Sequence, residues 1–140
     1  MEIKKNASAK WQGSVKEGKG HISLESGAFT DQPYGFNTRF EDKKGTNPEE
    51  LIAAAHASCF SMALSKIIGE AGFEPKNIET NSTVTLTKTD DGFKIPKVKL
   101  TVSIDAPEAS AEKIKEMATQ AKDGCPISKL LNADISLEVL

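Results

Sequence analysis

Cysteine is scarce in this chain, arginine is nearly absent, and neither sign of charge dominates: 140 residues hold two cysteines and a formal net charge of −2, and Arg39 is the only arginine among 18 basic residues. The charge balance removes the electrostatic reason to expect nucleic acid or an anionic membrane as a partner. Met1-Glu2-Ile3-Lys4-Lys5 leads into no apolar signal region, and no apolar run is expected to be long enough to span a bilayer. The expected location is therefore the cytoplasm, where thiols stay reduced and two cysteines are better read as reactive or core residues than as a permanent staple. No C-x-x-C spacing, internal repeat or low-complexity tract occurs. His21, His56, Cys59 and Cys125 fall in no zinc-ligand pattern, so neither metal nor cofactor is expected. The length suits one core of ordinary size, hence a single domain over 1–140.

What is present is a long apolar helix. Asn47 is a good N-cap, Pro48 suits the first helical position, and Glu50 at the third can close a capping box. The helix is expected to run to Gly69 or Gly72, with Gly72 as its left-handed cap. Leu51, Ile52, Ala54, Ala55, Phe60, Met62, Ala63, Leu64, Ile67 and Ile68 keep to no single stripe, the pattern of a buried helix. Covering it is difficult in a chain this small, which favours a homodimer.

Around it, residues 2–26 alternate loosely and predict two or three antiparallel strands, with Trp11, Val15, Ile22 and Leu24 pointing inward. Residues 27–45 lose all periodicity and read as a long aromatic loop; loops of that length are usually functional. Residues 77–88 and 93–104 are alternating strands joined by Thr89-Asp90-Asp91-Gly92, a strong hairpin signal. Pro107 to Lys122 predicts an amphipathic helix on Ile114, Met117, Ala118 and Ala121, a short helix follows Cys125-Pro126, and 135–139 closes as a strand. The sum is an α+β fold.

Taken alone, Cys59 reads as a small apolar side chain about three turns into a helix, beyond reach of its dipole, so reactivity would need a cation or base from elsewhere. Cys125, beside a helix N-terminus, is better placed to ionise. Together the two are the parts that carry a sulfenic acid to a disulfide. Arg39, the lone planar fork in a lysine-rich chain, suits bidentate pairing with a carboxylate or an anion, though a surface arginine fits as well. His56 shares a helix side with Cys59 and could be its base; a hydrogen-bonded core histidine is the stronger reading. If Glu49 and Cys59 share one helix, ten positions separate them by about 15 Å, so a Glu49 acting on Cys59 must come from a second subunit.

The stretches Gln32 to Phe40, Gly45 to Leu64 and Ala121-Lys122-Asp123-Gly124-Cys125-Pro126 closely resemble the osmotically inducible protein C (OsmC) family, related to the organic hydroperoxide resistance (Ohr) proteins. The resemblance covers essentially the whole chain. It implies an OsmC/Ohr-like fold in which an antiparallel β-sheet wraps around long central helices in an intertwined homodimer, with active sites at the subunit interface. The implied activity is that of a thiol peroxidase for organic hydroperoxides, acting in oxidative and osmotic stress defence. By that similarity Cys59 is the peroxidatic cysteine and Cys125 the resolving one, while Arg39 and Glu49 keep Cys59 ionised and position the peroxide. A dithiol reductant, a dihydrolipoyl protein being one candidate, would reset the pair. Two other classes fit the residues taken alone: a non-enzymatic dimeric module binding a small apolar ligand, with inert cysteines, and a thiol–disulfide exchange enzyme, against which the missing C-x-x-C counts.

Overall fold

The computed structural model describes all 140 residues, which form two compact units, Met1–Leu51 and Ile52–Leu140. In the N-terminal unit, β1 (Ala7–Gln12), β2 (Lys19–Leu24) and β3 (Gln32–Tyr34) make an antiparallel sheet in that order. A short helix, α1 (Phe36–Phe40), follows, and α2 (Pro48–Glu70) begins here. The aromatic stretch expected to be one long loop thus contains a strand and a helical turn. A three-residue strand with Pro33 at its centre is too short to leave a period in the sequence. The inward positions expected from alternation are also corrected: Trp11 is 39% and Val15 72% exposed, while Ile22 and Leu24 are only half-buried. This unit buries no large apolar side chain of its own, so alternation there had no core to report.

The start of α2 is set as its sequence implies: Asn47 Oδ1 accepts the Glu50 N–H at 2.8 Å. Its end is closed by Gly72, at φ +88°, with the Phe73 N–H donating to the Ile68 carbonyl. The expectation of a helix buried all round needs correcting for the single chain. Only His56, Phe60, Leu64 and Ile68 are buried, a strict i, i+4 stripe, whereas Met62 on another face is 77% exposed. By length and composition alone, α2, 23 residues long with an 18-residue window of mean hydropathy 1.5, could also cross a bilayer, contrary to expectation. Its buried stripe instead joins a protein core.

That core belongs to the C-terminal unit. β4 (Asn77–Thr89) and β5 (Gly92–Asp105) form the expected hairpin, α3 (Ala111–Gly124) and α4 (Pro126–Leu130) follow, and β6 (Asp134–Val139) pairs with β5 in parallel. The sheet order is β4-β5-β6. Val98, Leu100 and Val102 alternate inward along β5 and are essentially fully buried. Leu100 and Val102 pack in one cluster with Phe60, Leu64 and Ile68 of α2 and Met117, Ala118 and Ala121 of α3. Burying a side chain such as Phe60 or Leu64 contributes about 1.5–3 kcal/mol. α3 starts at Ala111, not at Pro107, because Ser110 caps it, its hydroxyl accepting the Lys113 N–H at 3.1 Å.

Two glycines near the end of α2 separate helix propensity from backbone conformation. Neither would bring an added Cβ within 4 Å of another group. Gly69→Ala lies inside the helix and is expected to raise stability by about 0.5–1 kcal/mol. Gly72→Ala must hold a left-handed residue and is expected to lower it by about 1 kcal/mol. Urea unfolding of the two variants, with opposite signs, checks this.

Candidate active site

Two constellations can be built from the residues upward, one in each unit. In the N-terminal unit Thr38 closes α1 on itself: its hydroxyl accepts the Gly35 N–H at 2.9 Å and donates to the Gly35 carbonyl at 3.1 Å. Asn47, besides capping α2, donates through Nδ2 to the Thr38 carbonyl at 3.4 Å. These contacts tie α1 to the first turn of α2, and there the arginine and the glutamate meet. Arg39 Nε donates to Glu49 Oε1 and Oε2 at 3.0 and 3.1 Å, and Nη2 donates to Oε1 at 2.6 Å.

The guanidinium is about a third exposed. Pairs of that exposure contribute about 1 kcal/mol or less, so the bond matters for orientation more than for stability. Of the five N–H donors on an arginine, the Nη1 pair is left unused by Glu49. The guanidinium carbon also stands 5.3 Å from the centroid of the Phe40 ring, which packs on Phe36 at 5.0 Å. Arg39, Phe36, Phe40, Tyr34 and Trp11 line a cavity of about 90 Å³. The result is an oriented cation with free donors beside an apolar wall.

The C-terminal unit contains the sulfurs. Cys59 lies on α2, half-buried; Cys125 ends α3, begins α4 and is completely buried. Both are free thiols, and Cys125 Sγ donates to Cys59 Sγ at 2.8 Å. Burial pushes the Cys59 thiol up, and Cys125 adds to the rise, while the Ile127 backbone N–H, donated to the Cys59 sulfur, opposes it. The neighbour raises the value because two touching sulfurs cannot readily both carry charge. Sequence reasoning placed the useful helix terminus at Cys125. The structure gives a first-turn amide of that same helix to Cys59 instead, a contact across 68 residues that local pattern could not reveal.

One turn before Cys59, His56 is fully buried and its Nε2 lies 2.7 Å from Ser128 Oγ on α4. Its Nδ1 has no partner. His56 is therefore the hydrogen-bonded core histidine, with its bonded nitrogen directed to a hydroxyl. Ser128 was not singled out by sequence; a lone serine in a short helix carries no signal. No three His, Cys, Asp or Glu side chains gather where a metal ion could be held.

Burial lowers the His56 pKa, and the sign of its pH effect follows. The unfolded chain takes up a proton near the ordinary histidine value of about 6.5, before the folded protein does. The His56 contribution is thus fully present above that value and is lost as pH falls from there through the folded pKa. Between pH 7 and 5.5 the urea midpoint of the wild type is expected to fall more steeply than that of His56→Gln, which does not titrate. Equal slopes would contradict the assignment.

Comparison with known proteins adds an independent line. Residues 41–139 match the profile of the family described as OsmC-like protein. Over 138 residues the chain is 53% identical to peroxiredoxin OsmC of Escherichia coli (strain K12), covering 99% of this chain and 96% of that protein. It is 33% identical over 123 residues to the organic hydroperoxide resistance protein OhrB of Bacillus subtilis (strain 168), covering 86% and 88% of the two chains. The crystal structure of Bacillus subtilis OhrB superposes with a TM-score of 0.76, covering 96% of this chain and 98% of that one.

Proposed function

Because this chain belongs to the OsmC-like family, we propose that it is a cysteine-based peroxidase that reduces organic hydroperoxides, and hydrogen peroxide less well, in defence against oxidative and osmotic stress. The observation that carries this reading is the pair of free thiols 2.8 Å apart, one on α2 and one where α3 meets α4. Cys59 is the peroxidatic residue. Its thiolate attacks the terminal peroxide oxygen, the O–O bond breaks, Cys59 becomes a sulfenic acid, and the released alkoxide leaves as an alcohol with the thiol proton. Cys125 then resolves it to a disulfide, which a dithiol reductant, such as a lipoyl protein, opens by exchange.

The thiolate needs help, since burial and Cys125 both hold the Cys59 proton on. Arg39 supplies it. A guanidinium fixed by Glu49 keeps donors for the thiolate and for the developing negative oxygen, and a preorganised cation stabilises that charge more than water does. By the helical-rise argument, the Arg39–Glu49 pair that serves each Cys59 belongs to a second copy. The whole chain then acts as one domain in a homodimer, and that copy would cover the open apolar faces of α2. Phe36, Phe40 and Tyr34 suit an alkyl peroxide. Nothing in this chemistry calls for a metal or cofactor, and the setting is the cytoplasm.

Intact mass and thiol titration after one equivalent of cumene hydroperoxide test the reading. The wild type is expected to lose two thiols and form one intramolecular disulfide. Cys59→Ser should consume no peroxide, and Cys125→Ser should stop with an oxidised Cys59. Arg39→Lys should slow consumption at least about tenfold, because a point charge cannot reproduce the fork. A wild type that keeps both thiols while peroxide persists would leave a binding module with inert cysteines as the function.

A further inference from the structure

His56 precedes Cys59 by three positions on α2, and Ser128 follows Cys125 by three at the start of α4. The two segments meet through matched rungs: Cys125 Sγ to Cys59 Sγ at 2.8 Å, and His56 Nε2 to Ser128 Oγ at 2.7 Å. Between them the Ile127 N–H reaches the Cys59 sulfur. We propose that the His56–Ser128 hydrogen bond is a positioning clamp for the second chemical step, holding α4 so that Cys125 stays in register with Cys59 after Cys59 has been oxidised.

Three observations support it. First, α4 is only five residues long, and no side-chain hydrogen bond caps its start. A helix of one turn has no stability of its own. Second, His56 is wholly buried yet leaves Nδ1 without a partner. An apolar side chain would avoid the cost of that unsatisfied nitrogen, so packing does not explain a histidine here, whereas a directed bond to Ser128 does. Third, both partners of that bond are buried, His56 completely, and a hydrogen bond is stronger in a low-dielectric setting than in water.

The step it serves needs such control. When Cys59 becomes a sulfenic acid, its sulfur gains an oxygen and the close sulfur contact must yield. The Cys125 sulfur then attacks, the S–O bond breaks, the S–S bond forms at about 2.05 Å, and hydroxide leaves as water with the Cys125 proton. If α4 swings away instead, the sulfenic acid waits and a second peroxide takes it to sulfinic acid. The clamp limits that excursion. His56 and Ser128 are in this account positioning residues and do not touch the peroxide.

The role in turnover rests on the peroxidase reading, but the geometry can be tested without it. In a glutathione redox buffer, the equilibrium constant for closing the Cys59–Cys125 disulfide reports the effective concentration of one sulfur toward the other. His56→Leu and Ser128→Ala are each expected to lower it by about tenfold or more, and His56→Gln, which keeps a nitrogen for Ser128, to stay within about threefold of wild type. With cumene hydroperoxide and dimedone present, the trapped fraction of Cys59 sulfenic acid should rise in the same order. The rate of first oxidation should remain within about twofold, which a general loss of structure would not allow. An unchanged glutathione equilibrium in folded His56→Leu and Ser128→Ala would overturn the clamp. Should His56→Leu fail to fold, Ser128→Ala decides it. Should peroxide leave the wild type unoxidised, the peroxidase reading falls while the glutathione measurement still judges the clamp.

Discussion

A thiol partly withdrawn from water and pressed against a second thiol holds its proton more tightly, and Cys59 is in that position. The arrangement brings the second sulfur within reach, but it also disfavours the thiolate that would start the proposed reaction. In the proposed function these opposing demands are met by different groups. The Ile127 amide offsets part of the rise within the same chain. In that proposal the remaining stabilisation is assigned to the Arg39 guanidinium, which Glu49 holds. A thiolate in a half-buried site gains from each donor aimed at it, because water there is less able to stabilise charge than in bulk.

The same constraint explains why α2 has two characters. One stripe, His56, Phe60, Leu64 and Ile68, is completely buried in its own chain. Of its other apolar residues, Ala54, Ala55 and Met62 are exposed in the single chain, and Leu51, Ile52 and Ile67 are only half-buried. A helix with an 18-residue window of mean hydropathy 1.5 is a poor thing to leave partly open to water, and the second copy proposed above would give it a partner while delivering the cation. The exposed, coreless sheet of the N-terminal unit is consistent with the same assembly, since it gains little stability from burial within its own chain.

Much of the fold was legible because it rests on local chemistry. Asn47-Pro48 fixed the start of α2, Gly72 its end, Asp90-Asp91-Gly92 the hairpin, and the stripe Met117, Ala118, Ala121 the inner face of α3. β3 and α1 were not, because three- and five-residue elements interrupted by Pro33 and Gly35 never establish a period. The burial of Trp11 and Val15 was misjudged because alternation says which residues share a face, not whether anything covers it. At the site, the cysteines and the lone arginine stood out by composition, and the family resemblance named Glu49. The amide of Ile127 and the hydroxyl of Ser128 were invisible: each reaches its partner across about 70 residues of chain, and only folding brings them together.

The central claim is that Cys59 of one copy works with Arg39 and Glu49 of the other, and mixing two inactive variants tests it most directly. Cys59→Ser and Arg39→Ala homodimers each lack one essential group. After subunit exchange, a mixed dimer holds one site with both the cysteine of one copy and the arginine of the other. With random exchange half the dimers are mixed and each has one good site of two, so the account predicts recovery to about a quarter of wild-type peroxidase activity. Activity that stays at the level of the separate variants, once mixed dimers have been confirmed by mass, would contradict it.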